Sequence, residues 1–359
     1  DWLEDYALFM AIKAHLGMCS FPQWPEDIRL RKPEAMAYYM ETLAEDRSFY
    51  AYLQYLFFRQ WDALKAYAAR RGVKLIGDLP IYVSLDSADV WARPEIFQLG
   101  QDRQPVWVAG VPPDYFSADG QLWGNPIYDW EMLGKTGYDW WLSRIQGSMR
   151  LYDLLRIDHF RGLESYWRVK AGESTARNGE WVKGPGMALI QAIQRRFPGL
   201  PIIAEDLGYL TPEVRALVAD SGYPGMKVLQ FAFDCREPSD YLPHTYPRHC
   251  VCYTGTHDNT TVSAWFSEAA GDDVAMAKQY LGLNEREGLA WGMIRGGMGS
   301  VADLFIAQMQ DYLALPASAR MNTPGTIGGN WCWRMRPGAT SPALARRIAT
   351  YTRIYGRLS

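Results

Sequence analysis

The stretch Leu154-Leu155-Arg156-Ile157-Asp158-His159-Phe160-Arg161-Gly162 decides the fold. A short apolar run leads into charged residues and stops at a glycine, which is the pattern of a buried parallel strand emerging at its C-terminal end. Arg156 and Asp158 lie two apart, so strand alternation turns both side chains to one face. A guanidinium beside a carboxylate keeps it ionised at neutral pH, as a nucleophile must be. Taken alone, the stretch fits a plain ion pair at a strand end equally well.

The same pattern recurs on both sides of it. Upstream, a helix ends at Gly72 and Val73-Lys74-Leu75-Ile76-Gly77-Asp78-Leu79 follows. There Asp78 either closes a strand or caps the next segment. Downstream, Ile202-Ile203-Ala204-Glu205 runs from apolar to acidic, and residues 226–234, 249–259 and 304–311 read as further strands. Helices are expected over 187–197 and 211–220. Repeated strand–helix units with acids at strand C-termini predict an α/β fold, a (β/α)8 TIM-type barrel with inserted subdomains and its site at that face. A doubly wound sheet shares this rhythm, but no phosphate-binding glycine fingerprint follows the first strand. Six strands are visible where such a barrel closes with eight, so two are expected to precede residue 1. The opening Asp1-Trp2-Leu3-Glu4, without initiator Met or signal peptide, likewise reads as part of a longer chain.

Residues 1–71 read as a helical lead-in, with helices over 5–15, 34–44 and 49–71. In the last, Leu53, Leu56, Phe57, Trp61, Leu64 and Tyr67 form an apolar stripe expected to pack into the core. Residues 72–359 are the barrel portion, interrupted at about 86–145 by an inserted subdomain. Within it, Val111–Pro126 is rich in Pro, Gly and aromatics with little periodicity, and is expected to form an irregular sugar-binding lid.

Composition narrows the function. The 359 residues carry a net charge of −3 and no long basic run, which argues against nucleic acid and anionic membranes as partners. No apolar run approaches the roughly 20 residues of a membrane helix. Five scattered cysteines form neither a disulfide framework nor a paired zinc motif, which fits a cytoplasmic protein. The 15 Trp and 22 Tyr exceed what a core requires and lean towards carbohydrate, whose apolar ring faces stack on aromatic side chains.

Asp158, Glu205 and Asp258 each end a strand, 47 and 53 residues apart. Two carboxylates flanking a glycosidic bond supply one ionised nucleophile and one protonated acid, the latter kept protonated by like-charge repulsion and desolvation. A third carboxylate can bond sugar hydroxyls and favour the positive charge developing on the ring. The three acids have no close HxH or HExxH partner, which argues against a metal centre.

With these residues in view, the sequence resembles the 4-α-glucanotransferase (amylomaltase, or disproportionating enzyme) family of the α-amylase clan. The resemblance is carried by Gly77-Asp78-Leu79-Pro80-Ile81-Tyr82-Val83, the 113–126 loop, Arg156–Gly162, Ala204–Gly208 and Thr256–Thr260, and it spans nearly the whole chain. It implies transfer of α-1,4-glucan segments between maltooligosaccharides by a retaining mechanism, without cofactor. It makes Asp158 the nucleophile, Glu205 the general acid/base and Asp258 the third acid, with Arg156 orienting Asp158. His159 and His257 would bond sugar hydroxyls, and Asp78 would support the pocket. Tyr115, Gln121, Trp123, Asn125 and Pro126 would belong to the active-site lid, Asp234 to the acceptor side, and Asn322 and Asn330 to the same substrate region. For His15, His244 and His249 an ordinary structural role is the better reading. An α-amylase-type hydrolase and a non-catalytic glucan-binding fragment remain the alternatives.

Overall fold

The structure is a computed structural model that describes residues 2–113, 117–208 and 210–358. The chain forms two compact units, Asp1–Tyr223 and Pro224–Ser359. The first carries three parallel strands, β1 (Ile76–Leu79), β4 (Leu154–Ile157) and β7 (Ile202–Ala204), paired in the order β1-β4-β7. The second carries β8 (Gly225–Val228), β9 (Cys250–Tyr253) and β10 (Leu304–Ile306), also parallel, with β9 in the middle. These six are the strands expected from the sequence. The middle strand β9 buries all four of its side chains, on both faces, whereas β4 buries Leu155 and Ile157 on one face and Arg156 on the other. The helices expected over 187–197 and 211–220 occur as Met187–Arg196 and Pro212–Ser221, the latter capped by the Thr211 hydroxyl.

A glycine in β1 has a packing reason. A Cβ on Gly77 would lie 2.0 Å from the Tyr152 ring, which leads into β4. Only a bare backbone lets that ring lie across the first strand.

The inserted region departs from expectation. In place of an irregular lid, β2 (Trp107–Val111) and β3 (Gln121–Pro126) pair antiparallel within a four-stranded sheet in the order β3-β2-β5-β6. Its other strands are β5 (Ser165–Lys170) and β6 (Gly179–Lys183). A bulge between Val108 and Gly110 shifts the register, and this erases the alternation that would have announced a strand. Gly110 sits where a Cβ would strike the Gln121 carbonyl at 2.5 Å.

The lead-in helices form as Trp2–His15, Pro33–Thr42 and Ala44–Arg70. The face of the last that turns inward differs from the expected one. Of the expected stripe Leu56 and Trp61 are half-buried, together with Gln54, Phe58 and Lys65, while Leu53, Phe57, Leu64 and Tyr67 are exposed and none of the helix's residues is fully buried. Trp61 and Lys65 decide the rotation, because their N–H groups bond the free carbonyls at the end of the helix Asp139–Leu151. Those carbonyls have no partner within their own helix, so a polar anchor outweighs the wider apolar stripe.

Part of the tryptophan excess is structural. Trp24, Trp91 and Trp141 are fully buried in the core of the first unit, beside Tyr128, Phe21 and Phe160. Among the described residues no helix is long and apolar enough to cross a membrane.

Candidate active site

Strand register places the first group of charges. Asp78 on β1 pairs in register with Arg156 on β4, which pairs with Ile203 on β7. Residues in register on parallel strands share a face, and residues two further on share it again. Asp78, Arg156, Asp158 and Glu205 therefore converge beyond the same ends of three strands. The Arg156 guanidinium, buried, spans two carboxylates: Nη1 donates to Asp78 Oδ2 at 2.6 Å and Nη2 to Asp158 Oδ1 at 2.8 Å. The planar fork suits this double contact in a way a lysine ammonium would not.

Glu205 extends the ladder past the end of β7. Its N–H donates to the Ile157 carbonyl and its own carbonyl accepts from Phe160 N. Its carboxylate accepts from His159 N and Leu207 N, each at 2.7 Å. Burial, followed by the nearby Asp158 charge, pushes the Glu205 carboxyl up to about 7 against the opposing pull of Arg156 and the two N–H donors. His159 adopts a left-handed backbone (φ 49°), which turns its N–H towards Glu205. Burial and the charge of Arg161 drive its imidazole down to about 3, so the ring is neutral and offers one donor and one acceptor. The Trp123 ring meets His159 edge-on at 4.8 Å, which brings β3 to this cluster.

In the second unit Asp258 lies on the loop after β9. Asn322 Nδ2 donates to Asp258 Oδ1 at 2.6 Å, and His257 Nε2 lies 3.5 Å from the same oxygen. The loop is held by polar side chains. Asn259 Oδ1 accepts from the N–H and hydroxyl of Thr256, Gln308 Nε2 donates to the Thr256 carbonyl, and Gln230 Nε2 donates to the Thr260 carbonyl. Arg320 donates to the carbonyls of Asp258 and Asn322. Asp311, wholly buried, accepts from the Thr254 hydroxyl and from Val262 N.

Other expected residues make contacts within the protein. Asp234 is ion-paired with Arg236 at 2.7 Å. Asn125 donates to the Val83 carbonyl, Pro126 faces Val108 in the bulged sheet, and Gln121 accepts from Trp123 Nε1. Asn330 bonds Thr323 and Thr326 within its own loop. Tyr115 lies outside the described residues. Arg320, Gln230, Gln308 and Asp311 were not anticipated, because isolated polar residues carry no periodic signal. Asp311, at the end of the expected strand 304–311, sits in the short helix Met309–Tyr312, because the strand stops at Ile306. Among the described residues no group of three or more His, Cys, Asp or Glu side chains is placed to hold a metal ion.

Residues 1–340 of the chain match a family model described as 4-alpha-glucanotransferase. The chain belongs to the 4-alpha-glucanotransferase family. Similar glucanotransferases include that of Clostridium butyricum, 50% identical over 99% of this chain and 74% of the relative, and that of Thermus thermophilus, 48% identical over 99% and 73%. An amylomaltase from Streptococcus agalactiae, solved in complex with acarbose, superposes with a TM-score of 0.96 at 42% identity, covering 99% of this chain and 72% of that one. As a glucanotransferase, the chain is an enzyme that transfers glucosyl units.

Proposed function

We propose that the chain transfers α-1,4-glucan segments between maltooligosaccharides by double displacement on a (β/α)8 barrel, with Asp158 as nucleophile and Glu205 as acid/base. The barrel reading rests on the two parallel triplets in sequential order. The observation that carries the roles is the contrast between the two carboxyls: Asp158 is ion-paired with a buried guanidinium, while Glu205 is pushed up to about 7. Environments that separate two neighbouring carboxyls in this way divide the work of nucleophile and acid.

Asp158 attacks the anomeric carbon as Glu205 gives its proton to the departing glycosidic oxygen, which leaves a β-linked glycosyl-enzyme. Glu205, now anionic, takes the proton from the 4-hydroxyl of an incoming glucan. That oxygen displaces Asp158 and the α linkage is restored. Arg156 and Asp78 orient the nucleophile. In the second unit Asp258, its carboxylate fixed by Asn322, and the neighbouring His257 have the chemistry to bond sugar hydroxyls, as does the neutral His159 in the first. The five free cysteines fit a reducing cytoplasm.

Azide rescue tests the division of roles. With α-maltosyl fluoride, whose leaving group needs no acid, Glu205→Ala should give the α-configured maltosyl azide, because Asp158 still forms the intermediate. Asp158→Gly should give the β-configured azide by direct displacement. The same anomer from both variants would exclude the assignment.

A further inference from the structure

We infer that Trp331 is a stacking platform for a glucose unit adjoining the one held by Asp258, a role that rests on the transfer reading above. The Trp331 ring is 61% exposed, so packing gives no reason for a tryptophan there. Its backbone is left-handed (φ 59°), a conformation that disfavours large side chains and persists in folded proteins mainly where function requires it. Glycine would serve the turn better, and glycines do occupy left-handed positions at 325, 328 and 329 in the same loop.

The loop is built to hold the ring still. Trp331 N donates to the Met321 carbonyl and closes the loop at its base. Asn330 accepts from Thr323 N and donates to the Thr326 carbonyl and hydroxyl, which stitches the interior. Asn322 N donates to the His257 carbonyl, and Asn322 Nδ2 donates to Asp258 Oδ1. The loop is thus pinned to the segment that carries the third acid. The indole lies 5.0 Å from the His257 ring, tilted by 39°, one residue from Asp258. A flat, exposed aromatic surface fixed beside a hydroxyl-binding carboxylate has the chemistry to take the C–H face of a pyranose ring.

The test compares the full chain with Trp331→Gly, Trp331→Ala and Trp331→Phe, using maltotriose kinetics, the Kd for acarbose and thermal unfolding. Loss of the platform should raise KM and the acarbose Kd by about tenfold to a hundredfold in the Gly and Ala variants, with the defect concentrated in KM rather than kcat. Trp331→Phe keeps an aromatic face and should restore most of the affinity. Trp331→Gly should unfold no earlier than the wild type, since glycine suits the backbone, so that its weaker binding cannot come from a damaged fold. Wild-type affinity in a folded Trp331→Gly chain would overturn the platform and leave the transfer reading intact. A wild-type chain that neither binds acarbose nor converts maltotriose would remove both.

Discussion

Glu205 is held between opposing influences, and its behaviour with pH follows from their balance. Burial and the charge of Asp158 favour its neutral form, while Arg156 and two backbone N–H groups favour the anion, and the outcome is about 7. Cleavage needs the neutral form, so kcat/KM for maltotriose should fall along a single basic limb with its midpoint near pH 7. A profile flat to pH 9 would contradict the assignment. The same shift has a consequence for stability. Unfolded, the carboxyl titrates near 4.5; folded, it titrates near 7, so the fold loses stability as pH rises through that window. Glu205→Gln abolishes the penalty and should be more stable than the wild type above pH 7, by on the order of 3 kcal/mol, with little difference at pH 4. Urea denaturation at pH 4 and pH 8 measures it, and an equal difference at both pH values would refute it. The residues behind this balance were visible in sequence only in part. Arg156 and Asp158 are legible from their two-residue spacing, whereas the N–H donors of His159, on a left-handed backbone, and of Leu207, in the loop after β7, follow no side-chain pattern.

At the scale of elements, the loop bearing Asp258 depends on a strut that belongs to another segment. Asp311 joins the hydroxyl of Thr254, just beyond β9, to the first N–H of the helix Val262–Glu268. Asp311→Ala leaves both donors buried without an acceptor and should destabilise the fold by about 2–4 kcal/mol, with a fall in kcat as Asp258 loses its fixed position. Asp311→Asn retains one acceptor and should lie between. A change below about 0.5 kcal/mol in the alanine variant would show that the strut is not needed. The elements that were legible are those with an unbroken physical signature. The buried runs of β4, β7 and β9 could form little else. The hairpin of β2 and β3 is hidden in the sequence because a bulge, with Gly110 and Gly124, breaks its period of two. Apolar spacing places Trp61 on the inward face of the helix Ala44–Arg70 but misses Lys65, whose ammonium helps fix the rotation by bonding backbone carbonyls.

Across the whole molecule, parallel strands present acids at their C-terminal ends in both compact units, from Asp78, Asp158 and Glu205 in the first to Asp258 in the second. Aromatic residues divide between a buried scaffold, such as Trp24, Trp91 and Trp141, and exposed faces beside the acids, such as Trp123 and Trp331. Transfer rather than hydrolysis requires that a glucan hydroxyl outcompete water for the glycosyl-enzyme, and aromatic surfaces that hold the acceptor offer a means. Incubation of the chain with pure maltotriose, followed by chromatography of all products, tests this most directly. Transfer through Asp158 predicts glucose together with a ladder of longer maltooligosaccharides, abolished in Asp158→Asn. Glucose and maltose without longer chains, or a ladder that survives Asp158→Asn, would contradict it.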